Sequence, residues 1–211
     1  MNCKNLILWA LAGVLATGCA TQRLAEGEYR LAGNKIKVEG KQISHSELTS
    51  YLAQKPSASF LGIRRPGTPV TVHDDSQVQT SADNILNHLE YIGYYGSKVT
   101  SEVEYKGKKA YVTYHVFPGK RYTIRSIDYE LPEEEEFRKE FETDLPRTTI
   151  KEGQFLSEST LEAEADRSAE FFRNRGYYGF DKSYYFCEAD TLSHDGTAAL
   201  TMAIRNYPRH G

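Results

Sequence analysis

The residues able to do chemistry stand in weak patterns. His73-Asp74-Asp75 puts an imidazole beside two carboxylates, the beginning of a metal site or of an acid–base pair. No cysteine or second histidine stands at ligand spacing beside it, and acids at the end of a loop equally begin a helix. Glu133 to Glu136 are carboxylates in a row. They would draw a metal ion or a basic partner, or meet the positive end of a helix as a solvated first turn. Cys187 is a nucleophile by type. It stands in Tyr184-Tyr185-Phe186-Cys187, a run of strand formers that would hold it as a packed or half-exposed thiol. The sequence contains no Gly-x-Ser-x-Gly turn, no phosphate-cradling loop and no His-Glu-x-x-His. Scattered Ser, His and Asp would make an exported hydrolase only if a pocket gathered them, and no spacing does so. The expectation is no enzyme, no catalytic residue, no metal and no cofactor.

The aromatic residues are better organised. Ile92-Gly93-Tyr94-Tyr95-Gly96 and Arg175-Gly176-Tyr177-Tyr178-Gly179 carry the same Gly-Tyr-Tyr-Gly, so Gly93 corresponds to Gly176. Before the first, Val78, Ala82, Ile85, Leu89 and Ile92 recur at helical spacing; before the second, Leu161, Ala165, Ala169 and Phe172 do. Gly93 and Gly176 then fall where a helix wants a left-handed cap. The tyrosine pairs form a binding surface, or one ring packs under the helix while the other lies at the edge. The interval between the copies is too long for a solenoid repeat and implies two tandem copies of one small domain.

The elements that position these residues read in order. Ile36 and Val38 alternate with charged residues, a strand with one buried face. Ser44 with Glu47 forms a capping box, Leu48, Tyr51 and Leu52 form an apolar stripe, and Pro56 ends that helix. Residues 56–75 read as a loop, and Ser76 with Gln79 opens the next helix. Val99, Val103 and Tyr105 lie on one strand, Lys106 to Lys109 turn, and Ala110, Val112, Tyr114 and Val116 return. The order then repeats. Tyr122 and Ile124 have even parity while Ile127, Tyr129 and Leu131 have odd parity, which requires a bulge near Arg125-Ser126. Pro132 suits a first helical position and Pro146 ends that helix. Ser159 with Glu162 caps the helix that follows, and residues 180–187 and 198–204 close a hairpin.

Composition bounds the rest. The chain has 211 residues, 39% of them apolar and 26% charged, ordinary for a globular protein. Fifteen tyrosines suit half-buried sheets or contact surfaces. A net charge of −3 gives no footprint for nucleic acid. Lys4 followed by the apolar run Leu6 to Ala16 forms a targeting segment too short to span a bilayer. Leu15-Ala16-Thr17-Gly18-Cys19 then resembles a bacterial lipobox, with Cys19 as the acylated first residue of the mature protein; ordinary secretory cleavage near Ala20 is the alternative. Cys3 leaves with the signal peptide and Cys19 carries lipid, so Cys187 remains without a disulfide partner. The segments are therefore a signal peptide at 1–18, a lipid-anchored tether at 19–34, domains at 35–118 and 119–206, and a tail at 207–211.

At this point the order of elements carries a resemblance. Strand, helix, helix, strand, strand, with Gly-Tyr-Tyr after the second helix, resembles the POTRA (polypeptide-transport-associated) domain. Val116-Phe117-Pro118-Gly119-Lys120-Arg121-Tyr122-Thr123-Ile124-Arg125-Ser126-Ile127 is similar to the junction between consecutive POTRA domains. With Cys19, Glu26-Gly27-Glu28-Tyr29, Gln54-Lys55-Pro56 and Phe60-Leu61-Gly62-Ile63, the sequence resembles the N-terminal part of TamA-like lipoproteins, within the outer-membrane assembly-factor (BamA/TamA) superfamily. Such proteins continue into a further POTRA domain and a membrane β-barrel. This sequence ends at Asn206-Tyr207-Pro208 and its short tail, where the next junction would begin, so the barrel is not expected here.

The resemblance implies an α+β fold of two tandem POTRA-like βααββ domains, each a three-stranded sheet backed by two helices. It implies a periplasm-facing module at the outer membrane that binds or docks unfolded outer-membrane polypeptides, or another envelope assembly component, by β-strand addition. A cell-envelope scaffold with POTRA-like domains is the alternative. It further implies that the first strand of each hairpin is an edge. The candidate partner-binding residues are then Val99, Ser101, Val103 and Tyr105 in the first copy, and Lys182, Tyr184 and Phe186 in the second.

Overall fold

A computed structural model describes residues 24–40, 43–57, 69–192 and 195–205. The expected signal peptide, Cys19, the Phe60-to-Ile63 stretch and the expected tail lie outside the described residues. The first strand, β1, is Arg30–Val38. It begins within the stretch read as tether, with a bulge between Leu31 and Gly33. Leu31, fully inside, belongs to the core.

Helix α1 is His45–Thr49, started by Ser44, whose side chain accepts from the Ser46 amide rather than that of Glu47. Helix α2 is Asp75–Tyr91. Its cap is Asp74, not Ser76: Asp74 Oδ1 accepts from the Ser76 amide at 2.8 Å. A carboxylate two residues upstream meets both a free amide and the positive helix end. Strands β2 (Lys98–Lys106) and β3 (Lys109–Phe117) complete a three-stranded sheet ordered β1-β3-β2, with β1 parallel and β2 antiparallel to β3. Along β3, Ala110, Val112, Tyr114 and Val116 are buried while Tyr111, Thr113 and His115 are not. The buried face packs with Leu48, Val78, Ala82, Ile85 and Leu89 of the helices.

The second unit repeats this. It comprises β4 (Thr123–Glu130), α3 (Glu135–Asp144), α4 (Glu158–Arg173), β5 (Tyr185–Asp190) and β6 (Thr197–Ile204). The sheet order is β4-β6-β5, again one parallel and one antiparallel pair. The register shift in β4 falls between Ile124 and Ser126, where the parity change places it. Helix α3 starts three residues past the expected Pro132, behind Glu134, and Pro146 sits in a 3-10 turn, Leu145–Arg147, after its end. Helix α4 is capped by Ser157, whose side chain accepts from the Thr160 amide, two residues before the expected Ser159. The chain is thus two tandem βααββ domains with separate sheets.

The second core is aromatic. Phe137 and Phe172 stack with centroids 4.5 Å apart, and Tyr177 meets both edge-on. It also holds charge. Arg167 makes a two-pronged pair with Asp144, at 2.7 and 2.8 Å, and hydrogen-bonds Glu164. Both acids are buried. Ser168 donates to Asp144 and Tyr185 donates to Ser168, so the network reaches the first residue of β5. Burial pushes the Glu164 carboxyl up, but hydrogen bonds from Arg167 and from the Thr149 amide and hydroxyl outweigh it and hold the group below its ordinary range.

Candidate functional site

Both copies of the tyrosine motif close a helix in the same way. Gly93 and Gly176 have φ of 94° and 96°. In the first copy the Gly93 amide donates to the Glu90 carbonyl and the Tyr94 amide to that of Leu89; in the second, Gly176 donates to Arg173 and Tyr177 to Phe172. These paired bonds are a Schellman cap, which places the residue after the glycine over the last turn of the helix. Tyr94 and Tyr177 are accordingly buried. The first tyrosine of each pair is a core residue, so the pairs are not two-ring binding surfaces.

The second tyrosines diverge. Tyr178 is 87% exposed. Tyr95 instead builds the joint between domains: it exchanges backbone hydrogen bonds of 2.9 and 3.0 Å with Lys120, and its ring lies 6.0 Å from that of Tyr122. Gly119 is required at this joint, since a Cβ there would lie 2.1 Å from the Tyr95 carbonyl oxygen. Tyr91, one turn earlier, donates to Glu162 of α4 at 2.8 Å.

The chemistry-bearing candidates take structural places. His73 Nε2 lies 3.0 Å from Asp75, and Asp74 is occupied by its cap. Hydrogen bonds from the Ser76 hydroxyl and amide hold the Asp74 carboxyl below its ordinary range. Among the described residues no group of three or more His, Cys, Asp or Glu is placed to hold a metal ion. Glu135 and Glu136 form the first turn of α3, and Glu135 pairs with Lys139 at 2.7 Å. Cys187 lies on an exposed strand, yet its neighbours desolvate the sulfur and push the thiol above its ordinary value, away from the reactive thiolate.

The edges are what remain open. Each sheet has two terminal strands; β1 and β4 are partly covered by the Arg30–Val72 and Thr123–Phe155 bridges, while among the described residues β2 and β5 each pair with one strand only. On β2, Val99 and Val103 turn partly inward, while Ser101 and Tyr105 are exposed, with the Tyr105 ring 4.4 Å from Tyr29. Charge guards this edge through Glu102, Glu104 and Lys106. On β5, Phe186 is exposed. Lys182 and Tyr184 do not belong to this edge, contrary to expectation. They lie in a 3-10 turn, Lys182–Tyr184, that Asp181 starts by accepting from the Ser183 amide. Lys182 pairs with Glu162 and Asp166 of α4, and Tyr184 packs on Phe180.

Comparison with known proteins agrees with this geometry. Residues 33–119 match the POTRA family model, described as surface antigen variable number repeat. A search of curated proteins gave no match. Among solved structures, POTRA domains 3–5 of BamA from Haemophilus influenzae are similar with a TM-score of 0.51 and 16% identity, over 89% of this chain and 70% of that one. BamA from Haemophilus ducreyi lacking POTRA domains 1–3 has a TM-score of 0.50 and 16% identity, over 84% of this chain and 29% of that one. The matched sequence stretch is the first domain, and the fold likeness extends across both.

Proposed function

We propose that these two POTRA-fold domains form a polypeptide-binding and docking module in outer-membrane protein assembly or translocation. Acyl chains on Cys19 hold it at the outer membrane, facing the periplasm. Its ligands are extended segments of unfolded outer-membrane polypeptides or of another envelope assembly component, captured by strand addition. The observation that carries this reading is the pair of open edges, β2 and β5. An unpaired edge presents backbone donors and acceptors that an incoming strand satisfies. The two differ in where charge falls: β5 opens with an uncharged run, Tyr185-Phe186-Cys187, before Glu188 and Asp190, whereas β2 carries Lys98, Glu102, Glu104 and Lys106 along its length. The match of the first domain to the POTRA family and the likeness of both to POTRA domains of BamA support the setting.

The test is crosslinking from single positions along 99–105 and 185–190 to an extended client peptide. Alternate positions label together if a strand is added, because side chains alternate across it. Labelling confined to Tyr95 and Tyr178 contradicts strand addition. For the anchor, Cys19→Ser releases the protein into the soluble periplasmic fraction, since acyl chains supply the apolar area that binds the bilayer. Pelleting of that variant with membranes after a high-salt wash contradicts the lipid anchor.

A further inference from the structure

The joint between the domains holds a cation that has no carboxylate partner among the described residues. Arg121 follows directly on Gly119-Lys120, the segment pinned against Tyr95. Its guanidinium lies 3.9 Å from the centre of the Phe155 ring and 5.0 Å from that of Tyr94. Two aromatic rings from different domains thus fix the side chain. Cation–π contact satisfies the faces of a guanidinium but leaves its N–H donors, which lie in the plane, unused. Nε is buried without an acceptor. Other arginines of the second domain are employed: Arg167 on Asp144 and Glu164, Arg175 on Glu140, Arg173 on the Phe180 carbonyl.

Arg121 also faces open space. With Tyr94, Gly119, Lys120 and Phe155 it lines a groove of about 610 Å³. Lys120 adds a second, exposed cation at its rim. Phe155 is half exposed, so the groove joins an apolar wall to a planar donor fork. A guanidinium fork matches a carboxylate bidentately, and the ring beside it suits the carbon atoms attached to one.

We propose that this groove binds a carboxylate of a polypeptide, either a chain end or an Asp or Glu side chain, with Arg121 as the anchor and Phe155 and Tyr94 as its clamp. The choice of a polypeptide as carrier rests on the proposed function; the carboxylate site does not. The site lies off both open edges, so it reads a side chain or chain end where strand addition reads only backbone. Its rigidity comes from the joint: the Tyr95–Lys120 pairing and the Gly119 amide, which donates to Ser97 Oγ at 2.9 Å, hold the fork in place before any ligand arrives.

The experiment follows the Nε–H signal of Arg121 by NMR while tripeptides, too short to extend a sheet edge, are titrated into the two-domain protein. The probes are N-acetyl-Ala-Ala-Phe with a free terminal carboxylate, its amide, the amide with Glu in the middle position, and inorganic phosphate. A saturable shift with the free-acid peptide assigns the site to chain ends; one with the Glu peptide assigns it to acidic side chains; the plain amide gives none. Arg121→Gln weakens binding by roughly tenfold or more, as expected for loss of a hydrogen bond to a charged group. Arg121→Lys, which keeps the charge and loses the fork, weakens it as well. No shift with either carboxylate peptide, equal binding by Arg121→Gln, or an equal response to phosphate overturns the proposal. Loss of crosslinking along the edges with these shifts intact would sink strand addition alone.

Discussion

The two copies of Gly-Tyr-Tyr-Gly share a local structure and differ in what lies over it. In each, a left-handed glycine ends the long helix and the next tyrosine drops into the core. Over the first copy sits the second domain: Gly93 abuts the Leu156 backbone, Tyr95 pairs with Lys120, and Tyr91 reaches Glu162. In the second copy Tyr178 stands in solvent. The repeat is therefore set by the helix cap, whose geometry is local, and the joint is added where a neighbour is present. The helices differ too. Aligning Gly93 with Gly176 places Ser81 and Asn84 opposite Glu164 and Arg167. The same helix face is neutral in the first domain and ionic in the second.

Breaking that ionic face gives the largest effect. Arg167→Met leaves two buried carboxylates without their partner and destabilises the second domain by about 3 kcal/mol, the lower end for a broken buried pair because the arginine is partly solvated. Asn84→Ala removes one hydrogen bond to the Tyr51 carbonyl and costs the first domain about 1 kcal/mol. Denaturation followed by domain-resolved amide signals measures both, and equal losses would erase the contrast. Acid sharpens it. Glu164 has a folded pKa below its unfolded value of 4.5, so its contribution is present above pH 4.5 and disappears as pH falls through the folded value. The first domain buries Ser81 as its polar group and no carboxylate among the described residues. On acidification below pH 4.5 the second domain should lose protection first, and a simultaneous loss would contradict this.

The caps come next. Alanine at Gly93 or Gly176 forces a side chain into left-handed backbone, at roughly 1–2 kcal/mol. Gly93→Ala costs more, because its Cβ would lie 2.3 Å from the Leu156 carbonyl oxygen and push the domains apart. It should also broaden the distribution of interdomain distances measured by paired spin labels, while Gly176→Ala leaves that distribution unchanged. The smallest effect is at the second tyrosines: Tyr178→Ala changes stability by less than about 0.5 kcal/mol, as exposed substitutions do. Tyr95→Ala loosens the joint in the same spin-label measurement.

Much of this is legible in the sequence because it is local. The repeated glycine at the end of an apolar stripe announces its cap, and the parity change between Ile124 and Ile127 announces the bulge. What escapes depends on contacts between distant residues or on competition between near neighbours. Asp74 rather than Ser76, and Ser157 rather than Ser159, takes the cap, because two good capping residues stand two apart and packing decides where the helix starts. Lys182 and Tyr184 read as strand, since Tyr184-Tyr185-Phe186-Cys187 is a β-forming run; Asp181 turns the chain for three residues first. Arg121 reads only as part of the junction. Its clamp needs Phe155, which lies beyond β4 and α3 in the chain and carries no pattern pointing back.

Amide hydrogen exchange with an extended outer-membrane client peptide bound measures the open edges without perturbing a side chain. An added strand hydrogen-bonds the outward amides of the strand that receives it, which are every second amide along it. The predicted result is slowed exchange at alternate amides of Tyr185–Asp190, or of Lys98–Lys106, with β3 and β6 unchanged. Protection confined to the residues around Tyr95 and Tyr178, or absent from both edge strands while the client is bound, would contradict it.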